Sequence, residues 1–146
     1  MINENKIDGV RKFHLPLAEL IDRLTVTQIK QVKIQSGKAS FQNEIDILCN
    51  DIDLLLETSN VRLDARLVRI LILLSQINLH IWSNKDEMQK NIDNEENYLQ
   101  LLKLAHQLNG IRNTMKNHLM EQEGDVEESH RKSNFETDGL DWNFLV

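Results

Sequence analysis

The stretch "LVRILILLSQINLHIW", residues 67–82, decides how the rest of the chain is read. It is the longest apolar run, so it is either a membrane span or the inside of a helical bundle. A span needs about 20 predominantly apolar residues. This run is shorter and carries Arg69, Gln76, Asn78 and His80, which are costly in hydrocarbon. Its apolar residues occupy more than one helical face. That pattern predicts the central helix of a soluble bundle, from about Arg62 to Trp82, with Arg62, Arg66 and Arg69 as its exposed stripe.

Working outward, five glycines and one proline leave few places to break helices. Pro16 suits a first helical residue and Gly37 a helix end. Between them Leu17, Leu20, Ile21, Leu24 and Val32 keep a helical period, although Thr25, Val26 and Thr27 lower the propensity locally. Ser40 is the expected N-cap of a second helix, whose apolar edge is Phe41, Ile45, Leu48, Ile52 and Leu55. "ETSN", residues 57–60, reads as a turn. "SNKDEMQKNIDNEEN", residues 83–97, is a polar interruption or a bend near residue 90, and Asp93 with Glu96 forms a capping-box-like start. A fourth helix follows from about Glu95 to Glu121, with Leu101, Leu104, Leu108, Ile111, Met115 and Leu119 as its core edge.

The expected fold is therefore all-α, a bundle of four main helices over residues 15–122. An N-terminal extension covers residues 1–14. A flexible, acidic C-terminal tail covers residues 123–146 and ends in the apolar Trp142, Phe144, Leu145 and Val146.

The totals narrow the function classes. With 146 residues and 40% hydrophobic content there is enough for one core,. Twenty-three acidic against 17 basic residues give a net charge of −6, which argues against nucleic acid and anionic membranes as partners. The single cysteine, Cys49, is expected as a buried structural thiol. It rules out an intramolecular disulfide and a cysteine-based zinc site. Residues 1–14 lack an apolar signal core, so a cytoplasmic location is expected. The histidines are dispersed, and no phosphate loop, nucleophile elbow or metal pattern occurs. No metal or cofactor is expected.

Polar groups recur at helical spacing in three segments. Asp22, Arg23, Gln28 and Lys30 lie on or beside one face of the first helix. Asn78, Trp82 and Asp86 run along the third. Asn109, Arg112, Asn113 and Lys116, in "QLNGIRNTMKN" (residues 107–117), form a ridge beside the core edge of the fourth. Antiparallel packing would bring these ridges together. Arg112 offers a planar fork and Lys116 a compact charge for an anion, Asn78 and Asn109 could orient a ligand, and Asp22 or Asp86 could fix the cations or accept a proton. The other reading of the same residues is an interhelical ion-pair and amide network that sets helix register.

The segments "LAELIDRLTVTQIK", "INLHIWSNKDEMQ" and "YLQLLKLAHQLNGIRNTMKN" resemble, in the same order, a small bacterial helical family. Its motifs are LIDKLTILEIK, N-x-x-LW-x-x-ED-x-x-R and ND-x-R-x-x-x-K, and it is similar to proteins encoded beside surface-polysaccharide genes. The resemblance spans about residues 15–120. It implies Asp22, Lys30, Asn78, Trp82, Asp86, Asn109, Arg112 and Lys116 as site residues. The family's acidic pair is Lys85–Asp86 here, its next Arg is Gln89, and the Asp after its Asn is Gly110. On this basis the first expectation is an accessory or binding protein in surface-polysaccharide assembly, holding an anionic sugar or nucleotide or a partner enzyme. A small enzyme acting on a phosphorylated or carboxylated metabolite is the second. A homodimeric helical adaptor whose tail recruits a partner is the third.

Overall fold

Side-chain caps open the two longest helices. Asp64 accepts a hydrogen bond from the Leu67 amide (2.9 Å) and Asn94 from the Asn97 amide (3.1 Å), each satisfying an amide that the first turn leaves without a partner. The computed structural model describes residues 15–124 and contains α1 (Leu17–Lys33), α2 (Lys38–Thr58), α3 (Ala65–Lys90) and α4 (Glu95–Glu123), with no strand among them. The expected all-α, four-helix architecture is what the chain adopts. The extension 1–14 and most of the tail expected over 123–146 lie outside the described residues.

Several boundaries differ from the sequence reading. Pro16 precedes α1 rather than beginning it, and it supplies no side-chain cap. The carboxylate of Glu123, at the far end of the described chain, takes that part by accepting from the Leu17 amide at 2.9 Å. Gly37 starts α2 instead of ending α1, with φ +77°, a left-handed conformation that glycine adopts without Cβ strain. Ser40 therefore lies inside α2, not at its cap. The cap of α4 is Asn94, one residue beyond the expected Asp93. α3 runs unbroken to Lys90, so residues 83–90 are a helical continuation.

Only α1 packs against all three other helices; α3 and α4 pair with each other, while α2 packs against α1. The central helix is thus α1, contrary to the expectation for residues 67–82. Two buried clusters result. The larger draws Leu17, Ala18 and Ile21 from α1, Leu67, Ile70 and Leu74 from α3, and Met115, Leu119 and Met120 from α4. The smaller contains Ile77, Leu108 and Ile111, from α3 and α4. α2 buries Leu48 alone among its residues and leans Ile52, Leu55 and Leu56 on the larger cluster. Cys49 is exposed, because its position turns away from the Leu48 edge, which corrects the buried-thiol reading.

By length and composition α3 is apolar enough to cross a membrane. The core helix of a bundle meets the same measure, so length and composition alone do not separate the two readings. What places α3 in the bundle is its set of partners: Asn78 and Asn84 are both buried, at 4% and 3% exposure, against α1 and α4.

Candidate functional site

At the junction of the two apolar clusters, the inward positions become polar on three helices at once. Ile21 is followed by Asp22, Ile77 by Asn78, and Met115 by Lys116, with Arg112 one turn before Lys116. Asp22 is the hub and is 3% exposed. Its Oδ1 accepts from Asn78 Nδ2 (2.9 Å) and Arg112 Nε (2.9 Å). Its Oδ2 accepts from Arg112 Nη2 (2.5 Å) and Lys116 Nζ (3.1 Å). Arg112 thus grips the carboxylate with two nitrogens, the fork geometry that makes guanidinium pairs strong. A carboxylate offers about four acceptor sites, and four donors occupy them here.

Two residues absent from the sequence-based site complete the network. Lys116 also reaches Glu19 Oε1 at 2.9 Å. Thr25 donates its hydroxyl to the Asp22 carbonyl (2.8 Å) and accepts from Asn78 Nδ2 (2.6 Å). Glu19, Asp22 and Thr25 are three residues apart along α1, so they share a face; that spacing was the available signal. Two carboxylates now face two cations, and the buried cluster is formally neutral. Neutrality matters, because an unmatched charge at this depth would cost several kcal/mol in desolvation.

Two opposing influences act on the Asp22 carboxyl. Burial, the largest, pushes its pKa upward; the hydrogen bonds from Arg112 and Asn78 and the charges of Arg112 and Lys116 push it down and prevail, so it lies below the ordinary 3.8. Asp22 is therefore an ionised structural partner, poorly suited to taking a proton at neutral pH.

The other expected site residues stand differently. Lys30 is half-buried one side of the network, in a cleft of about 380 Å³ that Asp22, Lys30, Glu44 and Arg112 help to line. Asn109 is exposed and touches the network only through a 3.5 Å contact with Arg112 Nη1. Trp82 is half-buried and Asp86 exposed; neither joins Asp22. Eight residues separate Asp86 from Asn78, which at 100° per residue turns it about 80° away from the inward side. Arg23 faces solvent near Glu44 (3.8 Å). Among the described residues no group of three or more His, Cys, Asp or Glu side chains is placed to hold a metal ion.

A second buried amide, Asn84, was not anticipated from sequence. It donates to the Leu101 carbonyl at 3.0 Å and ties α3 to α4 below the smaller cluster.

No family model, curated protein or solved structure matches this chain.

Proposed function

We propose that the protein is a helical binding module that takes an anionic group, the phosphate or carboxylate of a sugar or nucleotide, in the cleft between α1, α2 and α4. The observation that carries this reading is the way Arg112 is divided. Its Nε and Nη2 are committed to Asp22, while Nη1 has, among the described residues, only the long contact to Asn109. The side chain keeps 29% exposure. A guanidinium already fixed by a buried carboxylate loses little rotamer freedom on meeting a ligand. Lys30 lines the same cleft and forms no ion pair within 4.0 Å among the described residues. Once Glu19 and Asp22 are matched by Lys116 and Arg112, and Glu44 by Arg23, Lys30 supplies the surplus positive charge.

Acid–base catalysis has weaker support, since Asp22 is saturated with donors and held ionised, and Asp86 lies outside the network. A part in cytoplasmic surface-polysaccharide assembly belongs to the same proposal and rests on the motif resemblance.

Lys30→Glu gives the cleanest test because it leaves the buried network intact. Sugar phosphates, sugar nucleotides and inorganic phosphate should raise the melting temperature of the native protein; a ligand at a hundred times its Kd stabilises by about 2.7 kcal/mol. That rise should vanish in Lys30→Glu. No rise with any of these anions, or an equal rise in the variant, would remove the cleft as an anion site.

A further inference from the structure

We infer that, among anions offered to the cleft, the site selects a monosaccharide carrying one anionic group, a phosphate or a carboxylate, over a nucleotide. This deepens the anion-site reading above and rests on it. What it adds is a set of partners for the part of the ligand that is not the anion.

Thr27 carries the inference. It is 1% exposed and lines the cleft, yet its hydroxyl has no hydrogen-bond partner among the described residues. Thr25, two residues earlier, spends its hydroxyl inside the Asp22 network. Buried hydroxyls are seldom left unbonded, and this one keeps a donor and two acceptor positions for whatever enters the cleft.

Glu44 faces the same space from α2. Its pairing with Arg23 is long, at 3.8 Å, and exposed on both sides, so it holds weakly. The carboxylate is thus available to accept from a ligand hydroxyl. Thr27 lies five residues beyond Asp22, about 140° around α1, and Lys30 and Val26 fall between them in azimuth. An anion seated at Arg112 and Lys30 therefore leaves the rest of its molecule over Val26, reaching toward Thr27 and Glu44. A sugar ring presents hydroxyls to both.

Three features count against a nucleotide. No aromatic ring lines the cleft, so a base finds no stacking platform. Its volume of about 380 Å³ is at the small end of the roughly 300–1,000 Å³ common to ligand sites. Finally, Lys30 supplies a single surplus positive charge, and a pyrophosphate would set its further negative charges against Glu19 and Glu44,.

Titration calorimetry on the full native chain tests this with hexose 1- and 6-phosphates and hexuronic acids. The reference ligands are inorganic phosphate, acetate, UDP and UDP-glucose. At least one sugar anion should bind about ten-fold or more tightly than its parent ion and than either nucleotide, since a site with polar groups placed for hydroxyls disfavours a ligand lacking them. Thr27→Val, which keeps the side-chain shape and removes the hydroxyl, should bring the ratio to the parent ion below about three-fold. Glu44→Ala, at a half-buried position, should reduce it in the same direction and decides alone if Thr27→Val loses helicity. Anion binding that Lys30→Glu abolishes, but with no sugar anion exceeding its parent ion ten-fold, overturns this inference and leaves the cleft as an anion site. Tighter binding of either nucleotide, or a ratio unchanged in both variants, does the same. No binding of any of these ligands, or binding that Lys30→Glu leaves untouched, removes the anion site and this inference together.

Discussion

Replacing Asp22 by alanine should lower the unfolding free energy by about 3–5 kcal/mol, the range for removing one partner of a buried ion pair. The cost comes less from the lost bonds than from what stays behind. Lys116, 5% exposed, would keep Glu19 but lose its nearest second carboxylate. Two Arg112 nitrogens and the Asn78 amide would lose their acceptor at Asp22. Urea unfolding reads the effect as a fall in midpoint at constant slope. A loss under about 1 kcal/mol would mean that water reaches these cations readily, and that the network is dispensable to the fold.

The second large effect is expected at Leu74, which is 0% exposed within the larger cluster. Leu74→Ala should cost about 2–5 kcal/mol, through lost transfer energy and the cavity left behind. The upper half of that range is expected, because the polar layer begins one turn further on at Asn78 and its hydrogen bonds resist collapse into the gap. Leu54→Ala, on the 54% exposed outer side of α2, is the control and should change stability by less than about 0.5 kcal/mol. Equal losses at the two positions would contradict the assignment of the core to α1, α3 and α4.

How far these features were legible in the sequence varied with the physics behind them. Helix count and type followed from apolar period and turn residues, because both act locally. Helix starts were harder: glycine at 37 can end one helix or begin the next, and what distinguishes the two is that α1 already stops at Lys33 while the Gly37 carbonyl accepts from the Phe41 amide (3.1 Å) as the first bond of α2. The hub was visible because Asp22, Asn78, Arg112 and Lys116 each adjoin or closely follow an apolar position that faces the core. Asn109 shows the limit of that reasoning. It shares the helical azimuth of Lys116 seven residues away, yet it is exposed, since α1 contributes no residue to the buried cluster at that end of α4. Spacing fixes an angle around a helix; how far a neighbouring helix extends over it is a tertiary property. The same limit explains α3. Its apolar faces suggested the central helix, exposed along its arginine stripe, whereas in the fold α1 and α4 cover one side and leave Val68, Ile72 and Leu79 in the open as well.

The charge state of Asp22 joins these threads. Because its folded pKa is lowered, the stabilisation it provides is complete above the unfolded aspartate value of about 3.9. It is lost as pH falls through the folded value. Protonation would abolish the carboxylate that Arg112 and Lys116 share across α1 and α4.

The most direct measurement is a carbon-13 NMR titration of the Asp22 carboxyl group, followed alongside acid unfolding. The expected midpoint lies below the ordinary 3.8, with the bundle loosening as that group takes up its proton. A midpoint at or above 3.8 would show burial outweighing the two cations, and Asp22 would not be the ionised hub that holds three helices together.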